Sequence, residues 1–391
     1  MIKRTIEISR EPAHLSLQLG QLVLEREHVP PTTIPCEDLG MVVVDHQQVT
    51  YTHAALAALV ERDAVVVVCG KNHLPAGLLL PMTDHSEVVW RLHDQIAVSK
   101  PLRKQLWRQI VQAKIRAQAA NLSAGSPERT RLLELARTVR SGDVTNHEAQ
   151  AARVFWSKWL AGDEQDRSRM TATCLTATPS ACVRSAIDRE DAHADGVGVK
   201  QADEPSSFGN GTTQQRSPFR RDADGEDEIN VLLNYGYSIL RAAVARAIVM
   251  AGLHPAFGLQ HCNRSNLFCL ADDLLEPLRP LVDSRVREFA RLGQTALSPI
   301  TKAALLQLLT QEATTGGEAG PLMVTLHRYV ASLVKCYAGE SEQLEIPEYV
   351  PAPFDPKSVE LTSPTTSRSW AASRRRSRPT VVASELANRP F

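Results

Sequence analysis

Around residue 86 the hydrophobic pattern of this chain changes period, and that change constrains its fold class more than any other feature. Before it, Leu15, Leu17 and Leu19 alternate with polar residues, Gly20 interrupts, and Leu22-Val23-Leu24 resumes. Alternation of this kind marks a half-buried strand. "MVVVD", "QVTYT" and "AVVVVCG" add short β-branched runs, with one helical stretch, "HAALAALVERD", between the last two. After residue 86, "VVWRLHDQIAV", "LRKQLWRQIVQAKIRAQAANL", "SPERTRLLELARTVR" and "NHEAQAARVFWSKWL" space apolar residues three and four apart, the period of an amphipathic helix. Ser126-Pro127 before Glu128 makes an N-cap followed by proline at the first helical position. "EINVLLNYGYSILRAAVARAIVMAG", "ITKAALLQLLTQEA" and "LMVTLHRYVASLVKCYAG" continue the helical pattern. The expectation is an α+β chain: a small N-terminal β-rich domain over 1–85, then a larger all-α domain over 86–350.

Two segments fit neither period. Residues 163–217 are polar and rich in Gly, Ser and Thr, which predicts a disordered insertion. The tail over 351–391 predicts the same, with a basic cluster at Arg374, Arg375, Arg376 and Arg378. Seven cysteines lie scattered without a Cys-x-x-Cys pair, so neither a zinc ribbon nor a disulfide framework is indicated. The N-terminus lacks the apolar core of a signal peptide and no apolar run approaches ~18 residues, which predicts a soluble, cytoplasmic protein without membrane contact.

Net charge is zero, from 44 basic and 44 acidic residues, but the charge is not evenly spread. Arg91, Arg108 and Lys114 belong to a strongly basic stretch over 91–140, opposed only by Asp94, Glu128 and Glu134. Such a stretch suits a phosphate-rich ligand, because each contact releases condensed counterions; a solvated helical face gives the same pattern.

The stretch "HCNRSNLFCLADDLLEPLRPLVD" (261–283) carries the densest polar chemistry. Asp273 and Glu276 lie three apart, so on a helix they share a face, and Asp272 points elsewhere. Leu267, Leu270, Leu274 and Leu278 bring that face beside the core, and Pro277 and Pro280 end or kink the helix at Glu276. His261 precedes them on what reads as the end of the previous element, with Asn263, Arg264 and Asn266 between. One nitrogen ligand with one or two carboxylates suits a catalytic Mg²⁺ or Mn²⁺ with open positions for substrate oxygens. A half-buried histidine and a capping aspartate account for the same residues without a metal. Glu148, in the first turn of the helix over "TNHEAQAARVFW", can be capped by Thr145 or Asn146, with Ala149, Ala152, Val154 and Phe155 as its inner wall; the helix dipole alone also explains a glutamate there. A rival metal motif is His93-Asp94, the dipeptide of HD-type phosphohydrolases, although the histidines upstream fall in or beside the β region. No phosphate-binding glycine loop or nucleophile elbow is present.

Four blocks in order carry a resemblance: "IPCEDLGMVVVDHQQVTYTHAALAALVERDAVVVVCGKNHLPAGLLLPM" (34–82), "NHEAQAARVFW" (146–156), "INVLLNYGYSILRAAVARAIVMAGLHPAFGLQH" (229–261) and "FCLADDLLEPLRPLVD" (268–283). Together they resemble the CRISPR-associated endonuclease and integrase of spacer acquisition, Cas1, in the form found beside a single RNA-guided effector nuclease. The resemblance implies a β-rich dimerisation domain and a helical catalytic domain. It implies a homodimer that joins a small Cas2 partner in a heterohexamer on DNA, with the effector nuclease as a further candidate partner. It implies Mg²⁺ or Mn²⁺ held by Glu148, His261 and Glu276, supported by Asp273 and Asn263, with Arg91, Arg108, Lys114 and Arg264 on DNA. The reaction implied joins 3′-hydroxyl ends of captured DNA to the repeat array by transesterification. The alternatives are a catalytically impaired DNA-binding scaffold of the same complex and the HD-type phosphohydrolase. In that family "FRRDADG" follows the "FW" helix closely, whereas here it arrives at 219–225, after the polar insertion.

Overall fold

The computed structural model describes residues 3–82, 86–160, 219–222, 224–351 and 353. The insertion expected over 163–217 lies outside the described residues, as does the tail over 351–391 apart from Pro351 and Pro353. The architecture is α+β, a β-rich N-terminal region followed by a mainly helical one.

Two four-stranded sheets build the N-terminal region. In one, β1 (Arg4–Ile8), β5 (Leu39–Val44), β7 (Val65–Cys69) and β8 (Pro75–Leu79) lie side by side, the first three parallel and β8 antiparallel. In the other the order is β4 (Val29–Pro35), β3 (Gln21–Arg26), β2 (His14–Gln18) and β6 (Thr50–Tyr51). The β2–β3 hairpin turns through Leu19 and Gly20, both at positive φ, which matches the twist of the strands it joins. Helix α1 (His53–Glu61) is capped by Thr52 and packs beneath.

All six residues of β5 are buried, as expected for a parallel strand covered on both faces. Because side chains alternate, its two faces enter different cores. Val42 and Val44 pack with Leu15, Leu22 and α1, while Met41 and Val43, with Val65 and Val67, pack into the helical body. One apolar core therefore runs from the sheet into the helices.

The helical body contains α2 (Val88–Ala97), α3 (Lys100–Ala120), α4 (Pro127–Thr138), α5 (His147–Trp159), α6 (Glu228–Met250), α7 (Cys269–Leu275), α8 (Arg279–Arg291), α9 (Pro299–Leu306) and α10 (Leu322–Tyr337). Side-chain caps start many of them: Ser99 on α3, Ser126 on α4, Asp227 on α6, and a Ser298–Thr301 capping box on α9. Helix α6 is central, with fifteen buried residues; a Cβ at Gly236 would come 2.5 Å from Val282 Cγ1, so the absent side chain lets α8 approach closely.

The body is not all-α, as the periodicity predicted. Helix α9 stops at Leu306, and strands β9 (Glu312–Thr315) and β10 (Glu318–Pro321) form a hairpin across Gly316-Gly317, both at positive φ. The glycine pair and β-branched Thr314-Thr315 override the helical spacing of the leucines before them.

Candidate metal centre

Two segments far apart in sequence, those of Glu148 and His261, meet at one cavity, and a third brings Glu276 to the ammonium that Glu148 also holds. Glu148 enters on the first turn of α5. The approach to that turn is tight: Gly142, Asp143 and Asn146 all sit at positive φ, which costs an L-residue roughly 1–2 kcal/mol and persists where contacts compensate. Those contacts come from Asp143, whose two carboxylate oxygens accept the backbone N–H groups of His147 (2.8 Å) and Glu148 (3.0 Å). Asn146 accepts from Ala149 N at 3.4 Å, so the cap expected from Thr145 or Asn146 is Asn146.

The inner wall of α5 is Ala151, Phe155 and Trp159, not the expected set of Ala149, Ala152 and Val154 with Phe155. This stripe lies on the same helical face as Glu148 and points it inward. Trp159 Nε1 donates to the Asp283 carbonyl on α8 at 3.1 Å, and Phe219 packs on the rings of Trp156 and Trp159. The first residue described after the long gap thus returns to the helix before it, and α5 docks on the later helices.

Glu276 occupies a 3-10 turn, Glu276–Leu278, that Pro277 and Pro280 produce between α7 and α8. His261 lies not at a helix end but in the irregular segment after α6, which stops at Met250. What orders that segment is Asp273, fully buried on α7. Its carboxylate accepts the backbone N–H groups of Leu259 (2.6 Å), Gln260 (3.0 Å) and His261 (3.3 Å), and His261 Nδ1–H at 2.5 Å. The backbone wraps so closely that a Cβ on Gly258 would collide with the His261 carbonyl and come 2.8 Å from Asp273 Oδ2. With Nδ1 donating, His261 keeps Nε2 as a lone-pair donor, the arrangement that a carboxylate behind the ring imposes on metal-binding histidines. The Asp273 hydrogen bond raises the His261 pKa, against the opposing effect of burial. Asp272, one residue earlier, turns away to Arg241 and Asn266.

Glu148 and Glu276 share one cation. The Lys114 ammonium, from α3, lies 2.6 Å from Glu148 Oε1 and 2.5 Å from Glu276 Oε2. The second contact is an ion pair to a buried carboxylate oxygen. Arg279 Nε donates to the other Glu276 oxygen at 2.9 Å. Burial pushes the Glu276 carboxyl up, but the charges of Arg279 and Lys114 outweigh it and hold the pKa at about 2. Burial lowers Lys114 as well, and Glu276 and Glu148 together raise it above the ordinary value. Behind them, the Arg279 and Arg221 guanidiniums lie 4.7 and 5.3 Å over the Tyr237 ring, and Tyr237 donates to Asp283.

The cavity, about 530 Å³, is lined by Glu148, His261, Trp107, Asp143, Asn146 and Asn263, among others. Among the described residues no three His, Cys, Asp or Glu side chains already stand together as an ion cage. The donor chemistry nevertheless fits a hard divalent cation: two carboxylates already share one positive charge, and an oriented imidazole lines the same cavity as Glu148.

The other expected residues fall differently. Asn263 lines the cavity and its side-chain oxygen accepts from Ser265 N and Oγ. Arg264 is exposed beside it. Arg108 is half-buried, its Nε without a hydrogen-bond partner. Arg91 donates to the Ala251 carbonyl at 2.8 Å and sits beside Glu87, tying α2 to the end of α6. Lys114 is half-buried between carboxylates. His93 is exposed and Asp94 half-buried, 3.6 Å apart, and no described carboxylate or imidazole completes them as a metal site. Asp143, Gly258 and Arg279 escaped the sequence reading; "SGDVTNHE", with a glycine, an aspartate and an asparagine before the glutamate, was the available signal for the first.

Comparison with known proteins agrees with this architecture. The family model described as CRISPR associated protein Cas1 matches residues 6–162 and 212–314. The chain is 30% identical over 342 residues to a CRISPR-associated endonuclease Cas1 of Neisseria meningitidis, spanning 86% of this chain and 93% of that protein. It is 26% identical over 336 residues to one from Pyrobaculum aerophilum, spanning 84% and 98%. The fold is shared with a casposase bound to integration product (TM-score 0.62, 18% identity, 92% of this chain and 99% of that one). It is shared too with a CAS1 protein from Thermotoga maritima (TM-score 0.56, 15% identity, 88% and 99%).

Proposed function

The chain belongs to the CRISPR-associated Cas1 family, and from that premise we propose that it is a divalent-metal-dependent DNA endonuclease and integrase of spacer acquisition. The observation that carries the reading is the Glu148–Lys114–Glu276 bridge beside an oriented His261: one ammonium holds two carboxylates together, and Glu148 lines the same cavity as an imidazole whose Nδ1 is fixed by Asp273. Glu148, His261 and Glu276 would hold Mg²⁺ or Mn²⁺, with Asp273 fixing His261 in the tautomer that leaves Nε2 for the ion. When bound, the ion supplies Lewis-acid stabilisation of charge on the phosphodiester oxygens.

The chemistry is an exchange of one phosphodiester for another. A 3′-hydroxyl of captured DNA forms a P–O bond at the repeat array, the array's 3′ oxygen leaves, and a proton passes from the first oxygen to the second. No external energy source is needed, which agrees with the missing phosphate-binding loop. Asn263 and exposed Arg264, at and beside the cavity wall, position the backbone phosphate, with Arg108 farther along α3. Arg91 and Lys114 are engaged within the protein and act through structure. The partners that accompany this reading are DNA, a second copy of the chain, a small Cas2 protein completing a heterohexamer, and the effector nuclease. The solved structures sharing this fold include one titled as a Cas6-RT-Cas1–Cas2 complex (TM-score 0.62, 14% identity, 88% of this chain and 36% of that one). No described helix is long and apolar enough to cross a membrane.

A second reading, a DNA-binding scaffold without chemistry, draws on the Lys114 ammonium standing between the carboxylates. A strand-transfer assay with the Cas2 partner, plasmid repeat DNA and Mn²⁺ separates the two. Joined products from the wild type and none from Glu148→Ala support the integrase. DNA binding by the wild type without products overturns it in favour of the scaffold.

A further inference from the structure

We propose that Lys114 is a tethered cation that holds the metal site in its metal-free form, and that its ammonium leaves the carboxylate pair when an ion enters. The inference rests on the metal-site reading above. Glu148 and Glu276 arrive on elements far apart in the chain, and Glu276 is 5% exposed. Two carboxylates held around one point repel and tend to move apart. Lys114 opposes this, with its charge 2.6 and 2.5 Å from the two groups.

The same geometry makes ammonium and metal mutually exclusive. An ion held by both Glu148 and Glu276 would need the space that Nζ now fills, because a small hard dication such as Mg²⁺ sits at roughly 2.0–2.1 Å from its oxygen ligands. Charge gives the same answer. Two glutamates are balanced by Lys114 and Arg279, and a dication added without removing Lys114 leaves two excess positive charges among buried groups. Arg279 is the cation that stays, because it binds the opposite Glu276 oxygen and lies over Tyr237. Lys114 is the one that moves, on a flexible four-carbon stem with open cavity volume beside its Glu148 partner. The outcome is a site that keeps its shape without metal, with an entry cost for the ion set by the population of the withdrawn lysine.

The test compares wild type with Lys114→Met for Mn²⁺ affinity by electron paramagnetic resonance, counting only the binding that His261→Ala abolishes, and for melting temperature with and without Mn²⁺. Since apparent affinity scales with the competent fraction, a withdrawn state populated below about a tenth makes Lys114→Met bind Mn²⁺ about tenfold tighter or more. The variant melts below wild type without metal, and Mn²⁺ raises its melting temperature by more than it raises that of wild type. Equal or weaker Mn²⁺ affinity in the variant overturns the inference and leaves the metal site standing. No His261-dependent Mn²⁺ binding in either protein overturns both. Should Lys114→Met fail to fold, acylation of Lys114 in the wild type, read by mass spectrometry, decides the matter. Faster labelling with Mn²⁺ than without supports displacement, and equal labelling overturns it.

Discussion

His261 Nδ1 lies 2.5 Å from Asp273 Oδ1, and the same buried carboxylate accepts the backbone N–H groups of Leu259, Gln260 and His261. One side chain thus sets both the path of an irregular segment and the tautomer of the histidine at its end. Asp273→Asn puts an N–H₂ group against some of those donors. The expected loss is about 2–3 kcal/mol in urea unfolding, with Mn²⁺ affinity lower by about 10–100-fold. Unchanged Mn²⁺ affinity would show that Asp273 does not orient His261 for a metal.

Asp143 holds Glu148 from the other side, by accepting its backbone N–H and that of His147. Asp143→Ala removes those two acceptors from the start of α5, which costs about 1–2 kcal/mol of stability. Because a displacement near 1 Å costs about 10²-fold in rate, strand transfer falls by that order even though no proposed ligand is altered. A variant with wild-type transfer rate and lower melting temperature would confine Asp143 to a structural role.

Asp283 gives the protein a pH dependence of definite sign. Burial pushes its carboxyl up to about 7, and Tyr237 and Arg279 offset only part of that. In the unfolded chain the group ionises near the ordinary carboxylate value, so between about pH 4 and pH 7 the folded state binds the extra proton. Its contribution to stability is full at the acid end and is lost as pH rises through about 7. Asp283→Asn, which still accepts from Tyr237, matches wild type near pH 4 and exceeds it by roughly 1–3 kcal/mol near pH 8. Urea midpoints across that range check it; parallel curves for the two proteins would refute it.

Excision of residues 163–217 with a short Gly-Ser join is expected to leave the fold intact. The described chain leaves after Trp159-Leu160 and returns at Phe219, whose ring centroid is 5.0 Å from that of Trp159. Closure entropy favours the shorter connection by about 0.6 kcal/mol per halving of length. The melting temperature stays level or rises, and Mn²⁺ affinity is unchanged. A clear drop in either would show that the excised stretch supports the site.

Much of the fold was legible in local pattern. The β-branched runs before residue 86 became strands, and Ser126-Pro127 opened a helix as the capping signal indicated. The β9–β10 hairpin was hidden because the leucines before it keep a helical period up to the glycine pair that breaks it. In the site, the prolines after Glu276 correctly announced a bend. The wall of α5 and the place of His261 were misjudged, since both depend on which distant surface each segment meets.

Residue type, spacing and short-range caps are local properties, so the sequence by itself determined the α+β class, the helix starts and the carboxylates and histidine worth watching. It could not reveal that Lys114, counted among DNA-facing charges, turns inward between Glu148 and Glu276, or that Arg91 binds the Ala251 carbonyl. Whether a basic side chain faces solvent or a buried carboxylate depends on desolvation and Coulomb energy between groups far apart in the chain. Only the packing of α3 against α5 and the turn at Glu276 set those distances.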